Sequence, residues 1–174
     1  MRPPATTSRK PTAILGFGNP VRSDDGIGCY VIDTLKKLPD LPPEVHLFDM
    51  GTSAFEVIFQ LAGHERFIIV DAVVNSGEPV GTLFRLPAAA VEAAIQDDPL
   101  VFLHGLKWDQ ALSYARKILR EQYPDDITVF LIAVADTHLD VGLSEPVRAA
   151  GDALLAHILD ECLAAEKRPS AAVR

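Results

Sequence analysis

The sequence predicts an α/β domain, a three-layer sandwich in which a mainly parallel, twisted sheet of about five strands carries helices on both faces. Three observations predict it. Short continuous apolar runs alternate with stretches of helical periodicity, which is the signature of βαβ units. One of those runs, Phe67-Ile-Ile-Val70, has no polar face, as expected of a parallel strand covered on both sides. Leu, Ile, Val and Phe supply 54 of the 174 residues, enough to offset the ordering entropy of one domain of this length.

Residues 1–11, rich in Pro and Thr, read as a flexible N-terminal arm, residues 12–166 as the domain, and residues 167–174 as a frayed tail. Thr12 to Phe17 reads as a buried strand closed by Gly18-Asn19-Pro20. Ile27, Val31, Leu35 and Leu38 recur at helical spacing, with Lys36 and Lys37 placed at the negative helix end. Val45 to Phe48 is the second strand. Ser53 three residues before Glu56 predicts a capping box that opens a helix through Ala62.

Phe67 to Val70 is the third strand, with Asp71 at its end. Gly81 to Leu86 is a further strand after a Ser76-Gly77-Glu78-Pro79 turn, and the Ala-rich stretch Pro87 to Ala94 suits a short helix. Trp108, Ala111, Leu112, Ala115, Ile118 and Leu119 predict one apolar helix face. Thr128 to Val134 is a strong strand. Val147, Ala150, Leu154, Ile158 and Cys162 trace the last helix.

Charge and cysteine content narrow the partners. Sixteen Lys and Arg against 24 Asp and Glu leave a net charge of −8, a field that repels phosphate backbones and anionic lipid. Nucleic acid is excluded as the expected target. No apolar run approaches the ~18 residues of a membrane span, and residues 1–11 lack the apolar core of a secretion signal. The two cysteines, Cys29 and Cys162, both fall in helical segments and read as buried thiols, so a reducing, cytoplasmic setting is expected.

In an open α/β sheet, ligands bind outside the carboxyl ends of the strands. Behind strand one stand Gly16-Phe-Gly18-Asn19 and Asp24-Asp25-Gly26; behind strand two, Asp49 with Gly51-Thr52; behind strand three, Asp71. Asp136 and His138 follow the last strand, and His104 precedes the Trp108 helix. Carboxylates with an imidazole on one open rim suit a divalent transition metal such as Zn, Ni or Mn. Asp71 carries the most information, because an ionised carboxylate at the end of a buried strand needs a partner.

Other acidic and basic candidates have plainer readings. Asp97-Asp98 and Asp125-Asp126 adjoin Pro99 and Pro124 and read as solvated turns. His46, His64 and His157 read as strand-edge or helix-surface residues, and His138 as a loop residue. Asp24 and Asp25 suit a helix cap as well as a site. Gly16-Phe-Gly18 does not complete a dinucleotide fingerprint, since Val21 takes its last glycine position and Pro20 interrupts the turn. GxxxxGK[ST], GxSxG and HExxH are absent.

Gly16-Phe-Gly18-Asn19-Pro20 followed by Asp25-Gly26-Ile27-Gly28 resembles the opening motif of the nickel–iron hydrogenase maturation proteases. Asp49-Met-Gly-Thr52 resembles that family's D-x-G-T turn, Ile69-Val70-Asp71-Ala72 its strand-ending aspartate, and His104-Gly105-Leu106 its loop histidine. Gly142 to Val147 is similar to its lead-in to the last helix, so the resemblance runs in order through roughly residues 12–166. It implies an endopeptidase that removes the C-terminal extension of a hydrogenase large-subunit precursor after nickel insertion, the nickel arriving with the substrate. By position it implies Asp25, Asp71 and His104 as nickel ligands, with Asp25 standing where some relatives have Glu. The direct catalytic roles of these three stay open, and Asp24 reads as a base standing behind the ligands or as a helix cap. Gly16, Gly18, Gly26 and Gly28 read as sites of close backbone approach. The same ligands without an identifiable nucleophile also fit a non-proteolytic nickel-dependent chaperone or docking module for hydrogenase assembly.

Overall fold

A computed structural model describes residues 11–61, 63–92 and 107–164; the arm at 1–10, His104 and the tail from 165 lie outside the described residues. Strand β1, Thr12–Phe17, is buried throughout its length. A short 3-10 turn at Ser23–Gly26 then leads into helix α1, Ile27–Leu35. Strand β2, Val45–Gly51, is followed by a 3-10 turn and the single turn α2, Val57–Gln60. Next come β3, Arg66–Val73, β4, Leu83–Pro87, and α3, Ala88–Glu92. Helix α4, Trp108–Leu119, strand β5, Asp126–Ala133, and helix α5, Glu145–Ala164, complete the order.

The sheet runs β2-β1-β3-β5-β4, parallel except for β4, which pairs antiparallel with β5 at the edge. Pleating sends alternate residues to opposite layers. Leu15 is in register with Ile69, and Ile69 with Val129; all three face the layer of α2, α3 and α4 with Val57 and Leu112. Ile14, Ile68 and Val70 face the other layer with Val31, Leu35, Leu154 and Ile158 of α1 and α5. Each such side chain, fully withdrawn from water, contributes about 1.5–3 kcal/mol. Both faces of the sheet are therefore covered, as the uninterrupted apolar run in β3 requires.

Four local expectations are corrected. Ser53 makes no capping hydrogen bond to the following turn, which begins as a 3-10 turn at Ala54; the Ser53 N–H donates to the Met50 carbonyl instead. Asp71 does not end β3: the strand continues to Val73, because β5 still offers ladder partners at Leu131 to Ala133. Strand β5 begins at Asp126, two residues earlier than the apolar run suggested. Ile118 is 65% exposed. At 3.6 residues per turn it stands about 70° from the centre of the buried stripe of Trp108, Ala111, Leu112 and Ala115, at the stripe's edge in the last turn of the helix.

The packing of α1 on the sheet rests on Gly28. A Cβ added there would lie 2.1 Å from the Phe17 carbonyl oxygen and 2.7 Å from that of Val70, so the helix touches the backbones of β1 and β3 directly. Gly28→Ala is expected to lower the unfolding free energy by roughly 3 kcal/mol or more through forced displacement of the helix. Urea denaturation followed by circular dichroism measures it, and a loss below ~1 kcal/mol, ordinary for a surface change, would contradict the close contact.

Candidate active site

A cleft of about 540 Å³ opens beyond the carboxyl ends of β1 and β3, lined among others by Phe17, Asp25, Thr52, Asp71, Lys107 and Trp108. Strand order reverses here: from β1 the chain proceeds to β2 on one side and then to β3 on the other. A crevice at such a reversal is the expected ligand position in this class of sheet.

Asp25 reaches the cleft from the loop that joins β1 to α1. Gly18 opens that loop with a φ of 134°, and a Cβ there would meet the Asp25 carbonyl oxygen at 1.8 Å, so only glycine fits. The Asp25 carboxylate is oriented by the Asn19 N–H, which donates to Oδ2 at 2.9 Å.

Asp71 comes from β3. Alternation after Phe67 and Ile69 puts it on the α4 side of the sheet, where the Trp108 indole donates Nε1–H to Oδ2 at 2.7 Å. The Ala72 N–H donates to Oδ1 at 2.8 Å. Burial nevertheless pushes the Asp71 carboxyl up to about 6, with the charges of Asp25 and Asp109 adding to the rise and the two donated hydrogen bonds opposing it. Three carboxylates, those of Asp25, Asp71 and Asp109, thus line one cleft, and that of Asp71 holds its charge at a cost.

Cys29 lies close by in α1 and donates toward the Gly18 carbonyl and Asp49 Oδ1. Burial, together with the neighbouring Asp49, pushes its thiol up to about 12, so it stays protonated and is no thiolate nucleophile at neutral pH. Cys162 is also a buried free cysteine. Asp24 does not cap α1. Its buried carboxylate accepts from the Ser144 N–H at 2.6 Å and the Ser144 hydroxyl at 2.8 Å, fastening the first loop to the entrance of α5.

His138 is exposed beside Asp136 and does not line the cleft; that pairing raises the imidazole above its ordinary range and lowers the carboxyl below its own. His157 is exposed on α5, and His46 contacts His64. Among the described residues no three His, Cys, Asp or Glu side chains form a metal-holding group. Of the three residues that the resemblance implies as nickel ligands, Asp25 and Asp71 line the cleft. The sequence reading placed Trp108 in the core and missed its role as donor to Asp71. A signal was present: a buried indole N–H needs an acceptor, and Asp71 needed a donor.

Residues 29–161 match the family model described as hydrogenase maturation protease, HycI. The chain belongs to the hydrogenase maturation protease family. It is 27% identical over 146 residues to the hydrogenase 2 maturation protease of Escherichia coli K12, covering 84% of this chain and 87% of that protein. Among solved structures, the hydrogenase maturating endopeptidase HybD of E. coli superposes with a TM-score of 0.73 at 26% identity, over 86% of this chain and 90% of that one. The NiFe hydrogenase maturation protease HycI of Thermococcus kodakarensis KOD1 gives 0.67 at 26% identity, over 90% and 94%. The family match includes Asp71 and the position of His104 and starts just after the loop of Asp25.

A maturation protease of this design should be more stable without its cleft charge. Asp71 binds its proton more tightly when folded than at its ordinary value of 3.8, so its contribution to stability is full below that value and lost as pH rises through about 6. Asp71→Asn keeps an acceptor for Trp108 and is expected to exceed the parent above pH 6 by on the order of 1–2 kcal/mol, net of the lost Ala72 bond. The gain should vanish toward pH 4; thermal melts with chelator present test it, and a difference independent of pH would count against it. Asp24→Ala is expected to cost about 1–3 kcal/mol by stranding the Ser144 donors, as chemical denaturation would register.

Proposed function

We propose that this maturation protease is the endopeptidase that removes the C-terminal extension of a nickel–iron hydrogenase large-subunit precursor once nickel has been inserted, and that it acts in the cytoplasm. The carrying observation is the placement of Asp25 and Asp71 on one cleft at the strand-order reversal, in a chain of this family. In this reading the nickel is part of the substrate, and Asp25, Asp71 and His104 contact it.

The chemistry of the two described donors suits that task. Hard carboxylate oxygens joined by an imidazole accommodate a divalent cation of this kind and leave coordination positions to the substrate's own ligands. Nickel, when brought by the precursor, supplies a Lewis-acidic anchor beside the scissile peptide. Asp25 and Asp71 are oriented beforehand by Asn19, Trp108 and Ala72, so little side-chain freedom is lost on binding. Their mutual repulsion and the burial of Asp71 are relieved most strongly by an incoming divalent cation. That differential makes cleavage wait for the loaded precursor. Phe17 and Trp108 stack at 5.9 Å and give the tail an apolar wall.

The test incubates the purified protein with nickel-loaded and nickel-free precursor and follows the large subunit by mass spectrometry. Loss of the extension is expected from the loaded precursor alone. Asp25→Ala, Asp71→Ala and His104→Ala are each expected to abolish it while leaving the circular dichroism spectrum unchanged. A nickel-dependent complex that never loses its tail would replace this reading with a docking or chaperone role.

A further inference from the structure

The end of the sheet away from the cleft carries a second group of coordinating side chains. His46 is the second residue of β2, paired in register with Ala13 near the start of β1, and His64 stands two residues before β3. Their rings meet, with His46 Nδ1 2.7 Å from His64 Nε2. The other nitrogen of His64, Nδ1, lies 3.2 Å from the Gln60 carbonyl oxygen. A carbonyl only accepts, so in neutral His64 the proton sits on Nδ1 and the lone pair on Nε2 points at His46.

The His64 ring is also held in place by packing. Phe48 and Phe67 both meet it edge to face, with centroids 5.7 and 5.8 Å away. A fixed imidazole, a backbone carbonyl on its remote nitrogen and a second imidazole at contact distance form the arrangement found around protein-bound transition metals. His46 is exposed on the edge strand and free to adjust.

We infer that His46 and His64 form a second divalent transition-cation site, bound through His46 Nδ1 and His64 Nε2, with water completing the coordination. Nickel, copper and zinc are the class that two neutral imidazoles select over magnesium or calcium. At ~2.0–2.1 Å per ligand bond, two nitrogens on one ion stand ~3–3.4 Å apart, so the pair has to open by well under 1 Å while the exposed His46 ring turns its Nδ1 lone pair from His64 toward the ion. The proton that His46 Nδ1 shares with His64 in the metal-free pair moves through water to His46 Nε2, and no net proton is released. The bound ion ties the outer edge of the sheet to the turn before β3. It is independent of the cleft and of the processing reaction.

The full chain carrying Asp71→Asn, which disables the proposed cleft site, is titrated with nickel chloride by calorimetry, with and without His46→Ala. The equivalents of nickel bound are expected to fall by one in the double variant, and the nickel-induced rise in melting temperature to shrink with them. His64→Gln in place of His46→Ala should produce the same loss. Zinc added to the Asp71→Asn protein is expected to shift the Nε2 resonance of His64 in ring 15N spectra. Equal nickel equivalents with and without His46, or an unmoved His64 ring signal, would overturn the inference, whatever the outcome of the precursor assay.

Discussion

Backbone contact between α1 and the sheet at Gly28 is the constraint on which the cleft depends. With no side chain at that position, the first turn of the helix rests on the carbonyls of Phe17 and Val70. Asp25 stands three residues before Gly28, and Asp71 is the residue after Val70. One close approach therefore sets the spacing between two carboxylates that are far apart along the chain. Gly18 and the Asp24–Ser144 contact hold the intervening loop so that this spacing is kept.

The cleft concentrates electrostatic cost. Asp71 sits among apolar residues, faces Asp25 and is only partly compensated by the Trp108 and Ala72 donors. A protein selected for stability alone would remove that charge; perturbed carboxyls in a cleft are instead a mark of a working site. Cys29, close enough to look catalytic, is held out of the chemistry by burial and by acidic neighbours.

The two ends of the sheet differ in character. At the carboxyl ends, strand reversal leaves a crevice that side chains from β3, α4 and the first loop can share. At the amino ends, β2 lies at the edge, and two imidazoles meet where the chain turns into β3. No helix among the described residues is long and apolar enough to cross a membrane.

The α/β class, the parallel core strands and the rim carrying Asp25 and Asp71 were legible in the sequence. Apolar periodicity and turn glycines are local properties, and a sheet with helices on both faces has few ways to connect them. Tertiary structure alone decided the rest. The continuation of β3 beyond Asp71 depended on ladder partners in β5, and the failed cap at Ser53 on a tight turn after Gly51. The Trp108–Asp71 bond, the Asp24–Ser144 clasp and the meeting of His46 with His64 join residues 18 to 120 positions apart. Such pairings follow from which strands are neighbours and which face each residue takes, and these are properties of the packed sheet rather than of any stretch of chain.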